Sequence, residues 1–431
     1  MSAKANIEKK LEAIGRPKDA KDSNKSLTQQ WDESLKDFSK DIEKYYNENR
    51  QSKEEFQKKV DILEEIEGYI IKNVFNSPAR GIMYDVKAVV PFGSSASGLG
   101  MTGGDLDMTI CVHPPLGKRR KDEIQARSNE ILAVIFRRIQ LGEMLKGRKK
   151  EKMELISTAR VPIITGFVDG VELDISISMT FLVSAQYLAS KFIDVYERYD
   201  RRFILLAAYV KKWMKSKKTD ENDDYYRTVF PNSCTNVLLV IFFMKQCGLL
   251  PRDINEKHKD QLGIDRQSWE RVNGWVTGSY GIPRLDVKHW KESNHCDVSL
   301  GTLFLLFLNF YAGVEYEYVK LCIGTGDLQH KGRKQPFYRM VIEDVLDKDN
   351  VARSVTQLKM YKKYLNDAKN IVLSTDREDI DEKLMAVKGT HGVLPDVCSF
   401  NKKEMKAWKE QGLHYGGKPV RPPWKKNNKK K

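Results

Sequence analysis

Residues 89–112, VVPFGSSASGLGMTGGDLDMTICV, constrain the fold of this chain more than any other stretch. They read as an apolar strand, a turn of small residues, and a second apolar run carrying Asp105 and Asp107 two positions apart. Residues i and i+2 of a strand share a face, so the two carboxylates point the same way from a rigid platform. Carboxylates held that close repel unless cations lie between them, and oxygen-only ligands suit Mg²⁺ or Mn²⁺. The turn at Gly93-Ser94 exposes backbone N–H groups on which a phosphate can rest. Paired acids beside such a turn imply metal-assisted phosphoryl or nucleotidyl transfer.

A third carboxylate follows on the clearest hairpin of the sequence, VPIITGFV-DG-VELDISIS, where Asp169-Gly170 is a strong two-residue turn signal. In its second strand Val171, Leu173, Ile175 and Ile177 share one face and Glu172, Asp174 and Ser176 the other. Asp174 therefore sits where a third metal ligand is needed. Strands are expected at Val86–Val90 and Leu106–Val112, and a helix at Lys121–Gln140. Beyond Ser178 the strand signal stops, and Phe203–Met214, Thr235–Cys247, Val298–Tyr311 and Ala352–Ile371 read as helices.

The fold class is thus α+β, a mixed-sheet catalytic domain over 81–188 joined to a mainly helical domain over 189–400, with the active site in the cleft between them. In front lie two amphipathic helices over 26–80. One carries Leu27, Trp31, Leu35, Phe38 and Ile42; the other opens with the capping box Ser52-Lys53-Glu54-Glu55 and carries Phe56, Val60, Leu63, Ile66 and Ile70. Residues 1–25 are polar and expected to be disordered, as is the Pro- and Lys-containing tail 401–431.

The net charge of +15 is concentrated in that tail, where eleven Lys/Arg face two Glu. Phosphate-bearing partners suit such a chain, and the runs Lys118–Lys121 and Lys146–Lys152 are either a solvated surface or an RNA track. Six scattered cysteines form neither a CxxC pair nor a zinc spacing, as expected of free thiols in a reducing compartment. No apolar stretch is long enough to span a bilayer, so no membrane partner is expected. The expectation is a cytoplasmic protein, with RNA granules and the nucleus left open.

Gly93-Ser94, Asp105-Leu106-Asp107 and the later Asp174 resemble the signature of the polymerase-β-type nucleotidyltransferases. The segments AYVKKWMK, NSCTNVLLVIFFMK, SLGTLFLLFLNFYA and IEDVLDKDNVARSV appear in the order found in cytoplasmic poly(A) polymerases and terminal uridylyltransferases. This resemblance covers roughly residues 80–370. It implies template-independent transfer of ribonucleotides from a nucleoside triphosphate to an RNA 3′-hydroxyl, with release of pyrophosphate. Asp105 and Asp107 would hold two Mg²⁺ (or Mn²⁺) ions, and Asp174 the ion beside the attacking hydroxyl. Ser94 and the amides after Gly93 would cradle the β- and γ-phosphates, and Lys211 and Lys215 would bind the triphosphate and neutralise leaving-group charge.

Base recognition departs from the family pattern. Asn232-Ser233-Cys234 stands where Ser-Ser-Tyr is usual, so Cys234 offers no aromatic face to the base. Ala189 replaces an Asn that commonly contacts sugar and base, and Asp349, before Asn350-Val351 in the recognition loop 338–355, stands where uridylyltransferases tend to have His. Ser233, Cys234, Asp349 and Asn350 are the candidate base contacts. Adenylation, uridylation and a mixed U/G product all remain open, the last as in the poly(UG) polymerase of RNA silencing. RNA silencing or RNA turnover is the expected setting, and a protein partner the expected source of target choice. A 2′–5′ oligonucleotide or cyclic dinucleotide synthetase and an inactive RNA-binding scaffold are the alternatives.

Overall fold

The computed structural model describes residues 2–20, 22–75, 85–113, 121–159, 161–178, 190, 193, 196–219, 223–252, 287–332, 335–343, 350–374 and 376–389. Two apolar cores organise them. The first is built on a five-stranded sheet of order β1-β2-β5-β4-β3. Strand β1 (Asp85–Phe92) runs antiparallel to β2 (Leu106–His113), which runs parallel to β5 (Val171–Ser178). Strands β4 (Ile163–Val168) and β3 (Lys150–Ile156) complete it, each antiparallel to its neighbour.

Alternation decides which face is covered. Leu106, Met108, Ile110 and Val112 of β2 and Leu173 and Ile175 of β5 are buried against the helices Lys53–Ile70 and Lys121–Gln140. Asp107 and Asp174 consequently point to the opposite face. The β4–β5 turn has both Asp169 (φ 51°) and Gly170 (φ 79°) in the left-handed region, as a two-residue hairpin of right-twisted strands requires. Asp169 then ties in the chain before β3, accepting from the Lys149 amide at 2.9 Å and Arg148 Nη1 at 3.0 Å.

The basic run Lys146–Lys152 therefore enters an edge strand that was not expected from the sequence. Arg148 is spent on Glu65 and Asp169, Lys149 on Glu151, and Lys150 on the Leu145 carbonyl. Residues 118–120 of the other basic run and the tail 401–431 lie outside the described residues.

The second core is helical and discontinuous in sequence. It joins Ala3–Glu12, Leu27–Ser34 and Lys36–Asn49 to Arg202–Lys215, Ser233–Cys247, Leu300–Gly313, Leu358–Leu373 and Ile380–Ala386. The most apolar long stretch, Asp223–Cys247, is mostly buried in this core and is interrupted between Val229 and Ser233.

The N-terminus corrects the expectation of disorder. Ser2 caps a helix whose Ala3, Ile7 and Leu11 recur at helical spacing and are fully buried. The stripe from Leu27 to Ile42 is two helices broken at Leu35, and the Ser52/Glu55 capping box forms as read. Phe56, placed on the apolar stripe by its spacing, is instead exposed. The helix expected from Ala352 begins at Leu358, and the helical half carries an unforeseen small sheet, β7-β6-β8 (Asp327–His330, Val319–Cys322, Ile342–Glu343).

Asp32 shows how firmly the N-terminal helices are bound. Its Oδ1 accepts from the Ser299 amide at 2.9 Å and from Thr302 Oγ1 at 2.7 Å, so it helps cap the distant helix Leu300–Gly313. Replacing a capping acid by Ala typically costs about 1–2 kcal/mol. Asp32→Ala should lower unfolding free energy by that amount in urea titration, with no change in the m-value.

Candidate active site

The phosphate turn and the acidic strand are packed directly on each other. Gly93 has φ 73°, and a Cβ placed on it would lie 2.1 Å from Asp107 Oδ2. Only glycine meets both demands, the left-handed backbone and the close approach. Asp107 is in register with Asp174 on the parallel strand β5, so the two carboxylates stand side by side on one face. Asp105 immediately precedes β2 and acts electrostatically on Asp107. Burial, then Asp105, then Asp174 push the Asp107 carboxyl up to about 7, partly offset by Lys59 and Lys211.

That cluster fits a hard divalent cation in donor chemistry and in charge, since acid oxygens converge with too little positive charge to balance them. It is not a closed cage: among the described residues no three His, Cys, Asp or Glu side chains are set to enclose an ion. An ion that keeps waters and takes phosphate oxygens needs no such cage.

Helix Arg202–Lys215 buries Phe203–Val210, Trp213 and Met214 and turns Lys211 toward the sheet. Burial lowers the Lys211 pKa, opposed by Asp105 and Cys234. Lys215, one turn on, is exposed. The Gly93 amide donates to Ser190 Oγ at 2.9 Å, and the amides expected to meet phosphate are those that follow it. Ser94 follows at the start of the short helix Gly93–Ala96 and is partly exposed.

On the base side, Asn232 caps helix Ser233–Cys247 by accepting the Thr235 amide at 2.8 Å, leaving Ser233 and Cys234 exposed at the helix start. Cys234 is thereby near Lys211. Asn350, an expected base contact, is bonded to the main chain. Its Oδ1 accepts the amides of Ile342 and Ala352, both at 3.0 Å, and its Nδ2 donates to the Met340 carbonyl at 2.9 Å. It ties together the main chain at Met340, Ile342 and Ala352. Ala189 and Asp349 lie outside the described residues.

Sequence reasoning missed Lys59. It is 3% exposed, and its Nζ lies 2.9 Å from Ser95 Oγ and 3.0 Å from Gln51 Oε1, beside the acidic pair. A signal was present: Lys59 heads the buried stripe Leu63, Ile66, Ile70 at spacings of four, three and four, where a lysine is out of place.

Known proteins resemble this chain in sequence and fold. Residues 38–198 match the family "Poly(A) RNA polymerase, mitochondrial-like, central palm domain". The mitochondrial poly(A) RNA polymerase of Drosophila melanogaster is 22% identical over 291 residues, 64% of this chain, and the chain spans 45% of that relative's length. Three structures have similar folds. The mtPAP complex with UTP superposes with a TM-score of 0.59 at 17% identity, covering 81% of this chain and 72% of its own. The GLD-2/RNP-8 complex gives 0.58 at 20% identity, covering 83% and 99%. The Cid1 poly(U) polymerase gives 0.55 at 21% identity, covering 81% and 99%. Over residues 38–198 the chain is thus similar to the palm domain of poly(A) RNA polymerases, and its fold is that of the mtPAP, GLD-2 and Cid1 structures.

Proposed function

We propose that this protein adds ribonucleotides to RNA 3′ ends without a template, consuming nucleoside triphosphate and releasing pyrophosphate. The observation that carries this is the acidic cluster Asp105, Asp107 and Asp174, faced by Lys211 from the helical core. Asp105, Asp107 and Asp174 would hold the divalent ions, which supply Lewis-acid stabilisation of the attacking and leaving oxygens. Lys211, held half-buried opposite the acids, neutralises charge that develops on the departing pyrophosphate, where a desolvated cation acts most strongly. Lys215 meets the same phosphates from solvent and contributes less. Asp174 lies across from Asp107 on the open face, where it receives the 3′-hydroxyl proton.

The base pocket supports a relaxed choice of nucleotide. An exposed Cys234 gives a base no aromatic platform, and Asn350 is occupied by backbone partners. Both remove contacts that would discriminate among bases.

The test is primer extension with Mg²⁺ and each nucleotide singly, then all four together with the tails sequenced. Extension by more than one nucleotide is expected, and none under any mixture would exclude the reading. Products resistant to a 3′–5′-specific nuclease would show 2′–5′ linkage instead. Lys211→Met should reduce kcat/KM on the order of 10²-fold, the scale for losing one transition-state charge partner, and Lys215→Met about tenfold or less.

A further inference from the structure

We infer that Lys59 is a positioning residue for the transfer reaction, holding the backbone of Asp105 through the hydroxyl of Ser95. An ammonium only donates hydrogen bonds, so Ser95 Oγ, 2.9 Å from Lys59 Nζ, accepts from it. That fixes the serine proton, which Ser95 gives to the Asp105 carbonyl at 2.7 Å. The relay runs one way and ends on the main chain of a reacting carboxylate.

Lys59 is also the end of a longer clasp. The only covalent path from the phosphate turn to Asp105 is the loop 97–104, and the segment 46–59 holds it throughout. Tyr46 Oη donates to the Gly98 carbonyl at 3.1 Å, the Gln51 amide to Gly100 O at 3.0 Å, and the Thr102 amide to Asn49 O at 2.7 Å. The Gly103 amide donates to Glu55 Oε1 at 3.0 Å. Gln51, which accepts from Lys59, also fills the space over Gly100, where a Cβ would meet its amide at 2.4 Å. The start of helix Lys53–Ile70 and the segment before it thus brace the loop that leads into Asp105.

Stability is a poor reason to keep a lysine there. Replacing a buried, paired charge by an apolar side chain of similar shape is often neutral or stabilising. Placement is the better reason: a shift of about 1 Å in a reacting group costs on the order of 10²-fold in rate. The inference rests on the transferase reading, because what Lys59 positions is a group of that reaction.

The experiment compares the full chain with Lys59→Met, Lys59→Arg, Ser95→Ala and the Lys59→Met/Ser95→Ala double variant. Primer extension is measured against Mg²⁺ and nucleotide concentration, and melting is measured with and without Mg²⁺. Lys59→Met should lower kcat on the order of 10²-fold and raise the Mg²⁺ needed for half-maximal rate several-fold. Its KM for RNA should stay within about twofold, because the relay ends on the metal-holding acid and not on the primer path. Lys59→Arg should recover part of the loss. Ser95→Ala should act in the same direction, and the double variant should be no worse than Lys59→Met, since both break one relay.

Unchanged kcat and Mg²⁺ dependence in Lys59→Met would overturn the inference, as would losses that multiply in the double variant. If Lys59→Met does not fold, Ser95→Ala decides, and wild-type kinetics in it overturn the inference. If the wild-type chain extends no primer, the transferase reading fails. The Mg²⁺-induced rise in melting temperature then decides about Lys59, which is supported by a smaller rise in both single variants and overturned by an equal one.

Discussion

Asp107→Asn should abolish transfer and, in the absence of metal, make the protein harder to unfold. The activity loss should be on the order of 10³-fold or more, as expected when a central electrostatic group is removed from a transfer site. The stability gain follows from where the carboxylate sits. Burial and its acidic neighbours hold Asp107 at about 7 in the folded chain, against 3.8 for an ordinary Asp. The folded state therefore binds this proton more tightly than the unfolded one, and stability falls as pH rises between those values. Asn keeps the shape and removes the penalty. The gain should be absent near pH 4 and complete by about pH 8, where on the order of 2 kcal/mol is expected after allowing for partial exposure and relaxation. Urea unfolding in chelator across that range measures it, and a pH-independent difference would contradict the assignment. Mg²⁺ should stabilise the wild type and leave Asp107→Asn nearly unaffected.

Gly93→Ala should be nearly as damaging to activity, by displacing a carboxylate that remains present. The new Cβ would lie 2.1 Å from Asp107 Oδ2 on a backbone with φ 73°, so either the turn or the acid must move. A loss on the order of 10²–10³-fold in kcat/KM is expected, together with a strain cost of about 1–2 kcal/mol. Gly170→Ala is the control. Gly170 has a similar φ of 79°, but a Cβ there has nothing within 4 Å. It should carry the strain cost alone, about 1 kcal/mol, with activity retained. Equal kinetic losses in the two variants would show that backbone strain, and not the approach to Asp107, is responsible.

The elements legible in the sequence were those with strong local signals. Asp169-Gly170 marked a turn because two successive left-handed residues favour this pair, and Ser52 with Glu55 marked a helix start because their side chains satisfy orphan amides. Alternation put Asp174 on the polar face of its strand, whereas its place beside Asp107 comes from the parallel pairing of β2 with β5, which no local signal announces. What stayed hidden depends on distant partners. Strand β8 is only Ile342–Glu343, too short to show a period. Strand β3 is the outermost strand of its sheet among the described residues and is mostly charged, so it reads as a surface loop. Helix Ala3–Glu12 is polar except at Ala3, Ala5, Ile7 and Leu11, and the burial of Ala3, Ile7 and Leu11 against the helical core makes it stable. The three backbone partners of Asn350 likewise have no local signal, since two of them lie eight and ten residues away.

The discontinuous helical core has a consequence for how the chain is made. Apart from Leu99, its pieces come from Ala3–Tyr46 and from Ile193–Leu384, while the sheet core lies between those two segments, from Ile62 to Ile177. During synthesis the sheet can close on its own helices while the first three helices still wait for partners. Their apolar stripes, including Trp31 and Phe38, stay exposed until Phe304 and its neighbours have left the ribosome. Joining the two halves then closes a loop containing an entire folded unit, a slow step dominated by non-local contacts. The dangerous interval in the life of this protein is therefore late translation, when shielding of the N-terminal helices by a chaperone matters most.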